Sequence, residues 1–168
     1  MIWKTIEDEL TGEFARGYAL AQFLHSRQDV KRTFSAGYKD EAACYEWEDF
    51  EDYGDSSPQE WRDETGYIIC TDEEADELAY EYIADSVWAF NPSFLFAHTG
   101  VDSGTLKTMQ ESLCEDANKA ITAMIKDFDY FVEEAVRMDG RGHFLAGYDH
   151  EEHEVKVGDK TFYIYRVN

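Results

Sequence analysis

GRGHFLAGYDHEEHEV, residues 140–155, holds the densest set of groups able to do chemistry, with His143, Asp149, His150, Glu152 and His153 all of metal-ligand type. A zinc helix requires HExxH or its inverted form. HEEH is neither, and the residues around it read as loop and strand rather than helix. Hydrogen bonding within a loop that leads into a hairpin suits His143 and His150 better, so neither a metal nor another cofactor is expected. GRGHF has two glycines and an arginine but no GxGxxG after a strand and no GxxxxGK[ST], so nothing is set up to cradle a phosphate. There is no GxSxG elbow. Cys44 and Cys70 have acidic neighbours, the opposite of what a reactive thiolate needs. Three cysteines without a CxxC pair read as reduced thiols. An enzyme is therefore not expected, and a small enzyme or metal-binding protein ranks third among the readings.

Charge is the stronger chemical signal. The chain carries 37 acidic and 15 basic residues, a net −22. From Asp40 to Asp102 there are 19 acids and one base, Arg62, whereas the other 105 residues hold 18 acids and 14 bases. Salt adaptation would spread acids over the whole surface, and a disordered acidic tail would lack the aromatic residues found here. A field this concentrated repels phosphates, so direct nucleic-acid binding is excluded and a basic partner is favoured.

Two segments carry the field. YEWEDFEDY interleaves Glu46, Glu48, Asp49, Glu51 and Asp52 with Tyr45, Trp47, Phe50 and Tyr53. Its period is ambiguous: Trp47, Phe50 and Tyr53 would share a helical face, whereas Tyr45 and Trp47 alternate as in a strand. In TDEEADELAYEYIADSVWAFNP, Thr71 and Glu74 make a capping box that predicts a helix over 72–90, ended by Asn91 and Pro92. Ala75, Leu78, Ala79, Tyr82, Ile83, Ser86 and Phe90 form its apolar face. Glu73, Glu77, Glu81 and Asp85 follow one another at i, i+4 on the other side, with Asp72 and Asp76 in the adjoining row. At a rise of 1.5 Å per residue the main row places one carboxylate every ~6 Å. Its three like-charge pairs cost on the order of 1 kcal/mol, with no Lys or Arg on the helix to offset them.

The positioning elements are mostly helical. Phe14, Tyr18, Ala21 and Leu24 predict a helix over 13–26 with Arg16 and Arg27 on its polar face, and GDSSPQEW reads as a loop. PSFLFAHTG is a short helix or apolar turn. Leu106, Met109, Leu113, Ala117, Ala120, Ile121 and Met124 share one helical face, and Phe128, Phe131, Val132, Ala135 and Val136 mark a further helix. MDGRG stops the helical part at Gly140 and Gly142. EHEVKV and KTFYIYRV around Gly158-Asp159 predict a C-terminal β-hairpin. The expectation is an α+β fold, mainly helical, as a single domain over residues 1–168. No apolar run of about 18 residues occurs, and the first ten residues lack a leader pattern, so neither a membrane span nor export is expected.

TDEEADELAYEYIADSVWAFNPSFL, DGRGHFLAGYDHEEHEV and FYIYRVN, in that order, resemble a group of small bacteriophage-encoded accessory proteins of unassigned function, over roughly residues 66–168. The resemblance implies a phage protein acting in a bacterial cytoplasm and brings no catalytic residue with it. Residues 1–65 lie outside it and suggest a variable region on a shared scaffold. The leading expectation is an acidic decoy, of the antirestriction or anti-CRISPR kind, that binds a nucleic-acid-binding host protein through residues 45–53 and through Asp72, Glu73, Asp76, Glu77, Glu81 and Asp85. Its acids would replace phosphates, and its rings would anchor the contact. The alternative is an acidic adaptor that binds a basic protein without competing for nucleic acid. Homodimerisation stays open.

Overall fold

The computed structural model describes residues 15–26 and 56–168. YEWEDFEDY, Cys44 and Arg27 lie outside these residues. The chain divides into two compact units, one made of residues 1–75 and 146–168 and the other of residues 76–145. The described elements are helical for the most part, with one small antiparallel sheet, so the fold is α+β as expected.

In the first unit, helix α1 (Ala15–Ser26) has the predicted C-terminal bound. It is buried more widely than one stripe: Ala15, Tyr18, Ala19, Leu20, Ala21, Phe23 and Leu24 are all inside. A second helix, α2 (Pro58–Thr65), stands where the reading of GDSSPQEW as a loop had none. Its start is a local device: Ser57 accepts the Glu60 N–H, Glu60 reaches back to the Ser57 N–H at 2.7 Å, and Pro58 occupies the first turn. Gly66, at φ 76°, closes the helix in the left-handed conformation.

Strand β1 (Tyr67–Cys70) follows, and it too was absent from the sequence expectation. It pairs antiparallel with β3 (Lys160–Arg166), which pairs in turn with β2 (His153–Val157). The predicted hairpin is thus the β2–β3 part of a three-stranded sheet ordered β1-β3-β2. Gly158, at φ 62°, makes its turn. Four residues are too few for a period-two signal, so only pairing with β3 identifies β1 as a strand. The unit's core gathers Tyr18, Leu20, Trp61, Ile69, Val155, Val157, Phe162 and Ile164.

Helix α3 (Asp72–Ser86) carries the acidic row and ends four residues before the predicted bound, in a 3-10 turn over Val87–Ala89. Side chains from further along the chain fix that end. Asn118 accepts the Trp88 N–H at 2.9 Å and donates to the Ala84 carbonyl at 2.7 Å, while Gln110 donates to the carbonyls of Trp88 and Phe90. These bonds satisfy backbone groups that a helix terminus leaves open.

The second unit continues through α4 (Pro92–Thr99), α5 (Ser103–Leu113), a 3-10 turn over Cys114–Ala117, α6 (Asn118–Met124), α7 (Phe128–Asp139) and the short α8 (Arg141–Leu145). The expected stripe from Leu106 to Met124 is broken in phase by Cys114, at φ 49°. Leu106, Ala117 and Ile121 are buried, but Leu113 and Ala120 are exposed. On α7, Phe131, Val132 and Ala135 face inward as the spacing predicts. Gly140, at φ 77°, ends α7, but the chain then re-enters a helix with Gly142 buried inside it, so MDGRG is a corner between helices and not the end of the helical part. Phe90, Phe94 and Phe131 pack ring to ring within 6 Å, with His98 against Phe94 and Phe131.

Candidate interaction surface on the acidic helix

The start of α3 is set by Thr71 and Glu74. The Glu74 carboxylate accepts the Thr71 N–H at 2.9 Å and Thr71 Oγ accepts the Glu74 N–H, which closes the predicted capping box. The same carboxylate receives both nitrogens of the Arg16 fork, at 2.7 and 2.6 Å, and Arg16 also donates to the Ile69 carbonyl. The Arg16 hydrogen bonds hold the Glu74 carboxyl below the usual carboxylate range, with the Thr71 bonds adding to them and partial burial opposing them. Glu74 thereby serves the fold, and the acids beyond it are left for the surface.

Asp72, Glu73, Asp76, Glu77, Glu81 and Asp85 are all exposed, as the helical spacing requires. They are not equivalent. Asp76 is paired at 2.9 Å with Arg141 of α8, whose side chain is 11% exposed, so its charge is largely offset within the fold. Among the described residues, no ion pair reaches Glu73, Glu77, Glu81 or Asp85. From Glu73 to Asp85 the row runs ~18 Å. The positive end of the helix stabilises its first turn but is too far from Glu81 and Asp85 to help them.

Aromatic rings accompany the acids here as well. Tyr82, placed by its spacing on the apolar face, is 51% exposed, and Tyr80 is 39% exposed. At 3.6 residues per turn the two tyrosines flank the acidic row on its opposite sides. The Tyr80 ring packs edge-on against Phe128, and its hydroxyl donates to Asp129 at 3.2 Å. Partial burial, and then the Asp129 carboxylate, push that hydroxyl above its usual range, so it stays a donor at neutral pH. The Tyr82 ring leans on Phe144, 6.0 Å away. Both rings are held from one side and open on the other. The sequence signal for them is the pair Tyr80 and Tyr82 on either side of Glu81, a shorter version of the acid and ring alternation at residues 45–53.

Of the metal-ligand types named from the sequence, the structure groups Asp149 and His153, with Glu151 in place of Glu152. The Glu152 carboxylate accepts the Tyr165 hydroxyl. His143 lies in α8 with its ring edge-on to Phe144, and the His150 backbone N–H donates to the Ala146 carbonyl. Cys70 is buried and Cys114 exposed. No helix of the described residues is long and apolar enough to cross a membrane. No protein-family model, curated protein or solved structure matches the chain.

Proposed function

We propose that this chain is a phage-encoded inhibitor that occupies the nucleic-acid groove of a basic bacterial protein, with the α3 face as its charged contact. The observation that carries the reading is the row Glu73, Glu77, Glu81 and Asp85, which is exposed and has no ion-pair partner among the described residues. A fold has no use for about 1 kcal/mol of like-charge repulsion on one face, whereas a groove lined with Lys and Arg does. One strand of B-DNA presents a phosphate every 3.4 Å of axis, and a row with a carboxylate every ~6 Å offers a line of negative charge of about half that axial density. Tyr80 and Tyr82 add apolar area and faces on which arginine stacks, and charge alone does not supply these. Asp76 is exposed as well but, paired with Arg141, contributes less free charge to that contact than the row does.

Displacement tests the proposal. The tagged chain captures its partner from a bacterial lysate at low salt, and the purified complex is then titrated with short duplex DNA. Release of the partner by DNA, together with loss of the partner's DNA binding when the chain is added, is the expected result. A complex that duplex DNA leaves intact, with the partner still able to hold DNA, makes the chain an adaptor and overturns the inhibitor reading.

A further inference from the structure

The turn that leads into β2 brings together three groups that the acidic helix does not use. Asp149 lies in the turn, Glu151 follows His150, which takes φ 60°, and His153 opens the strand. Asp149 Oδ1 accepts the Glu151 N–H at 3.1 Å. His153 Nε2 lies 3.6 Å from Asp149 Oδ2 and 3.7 Å from Glu151 Oε2, and the three ligand atoms fall within 4.8 Å of one another. These distances are too long for hydrogen bonds. Asp149 Oδ2 is buried and has no hydrogen-bond partner among the described residues, a costly state for a carboxylate oxygen. The His153 ring is steadied by Phe23 of α1, 4.8 Å away.

We propose that Asp149, Glu151 and His153 bind a first-row divalent transition-metal ion of the Zn²⁺ or Mn²⁺ type. Bonds of about 2.0–2.2 Å to carboxylate oxygen and imidazole nitrogen place neighbouring donors roughly 3.0–3.4 Å apart, a few tenths of an ångström inside the separations from His153. Glu151, with its side chain 65% exposed, is free to make that movement. Two carboxylates balance the ion's charge, and the imidazole favours Zn²⁺ most and Mn²⁺ less, both over Mg²⁺ or Ca²⁺. The ion gives Asp149 Oδ2 the partner it lacks and ties the turn to the first residue of β2. The absence of HExxH removes a zinc helix, but it does not bear on a site built from a turn and a strand end.

The protein's net charge makes loose cation binding a competing explanation, so the test needs a position as well as an affinity. The chelator-treated full chain is titrated with ZnCl₂, MnCl₂ and MgCl₂, following thermal stability and binding heat, and Mn²⁺-induced broadening of NMR signals locates the ion. Expected are one equivalent of Zn²⁺ or Mn²⁺ bound with a saturable rise in Tm, broadening centred on residues 149–153, and little response to Mg²⁺. Affinity is expected to fall more than about tenfold in both Asp149→Asn and Glu151→Gln. Glu77→Gln, on the acidic row, is expected to leave it unchanged. Because Glu151 is exposed, its variant folds even if Asp149→Asn does not, and it carries the decision alone. Equal responses to all three ions, broadening spread along α3, or unchanged affinity in Glu151→Gln overturns the proposal.

Discussion

At the scale of single residues, Glu74 combines two duties that substitution can separate. Glutamine retains a side-chain oxygen for the Thr71 N–H, so Glu74→Gln keeps the capping box and removes the charge that faces Arg16. The half-buried guanidinium then loses its counter-charge, and a cost of roughly 1–3 kcal/mol is expected at neutral pH, read as a lowered Tm. The pH dependence follows from the lowered Glu74 pKa. A carboxyl held lower in the folded chain than in the unfolded one contributes its full stability above the unfolded value. That contribution is lost as pH falls through the folded value. Wild type and Glu74→Gln are thus expected to differ most in Tm near neutrality and to converge in acid below the ordinary carboxylate range. A difference that persists unchanged there would remove the ion pair as its cause. Trp61, fully buried in the core of the first unit, provides a second residue-level check. Trp61→Ala is expected to cost about 3–5 kcal/mol in denaturant unfolding.

At the scale of the element, α3 sets the demands of the fold against those of the proposed contact. Exchanging Glu77 and Asp85 for Lys turns both repulsive i, i+4 neighbours of Glu81 into attractive ones, so the double variant is expected to be more stable by on the order of 1 kcal/mol. Its affinity for a basic partner is expected to collapse, because each lysine then faces like charge. Melting temperature and partner affinity, measured on the same sample, decide the matter. A more stable protein that binds as well as wild type would remove α3 from the contact. The far end of the helix gives an independent prediction. Asn118→Ala leaves the Trp88 N–H and the Ala84 carbonyl without their side-chain partner and is expected to cost about 1–3 kcal/mol with the acidic face unchanged.

For the whole molecule, the net charge of −22 makes salt act in opposite directions on stability and on binding. Screening over about 8–10 Å at physiological ionic strength relieves self-repulsion, so Tm is expected to rise between about 50 and 500 mM NaCl. Affinity for a basic groove is expected to fall steeply over the same range, as the phosphate-like contacts are screened. Affinity that stays flat across the range would mean that the contact is not electrostatic.

Much of this was legible from the residues because helices report themselves within four positions. Thr71 and Glu74 mark where α3 begins, its 3.6-residue period puts Glu73, Glu77, Glu81 and Asp85 on one exposed row, and alternation with Gly158-Asp159 marks the β2–β3 hairpin. The start of α2 was legible as well, in Ser57, Pro58 and Glu60, although the polar residues around them read as loop. What only tertiary structure decided involves partners far apart in the chain. Arg16 takes Glu74 from 58 residues away and Arg141 takes Asp76 from 65, which splits acids that look alike on a helical wheel into those paired within the fold and those left unpaired on the surface. β1 exists because β3 pairs with it, and α3 stops at Ser86 because Asn118 and Gln110 bond its last turn. Periodicity and capping are short-range, set by backbone geometry and nearest neighbours, whereas charge pairing, strand pairing and the exposure of Tyr82 depend on which distant surface arrives, and no local pattern encodes that.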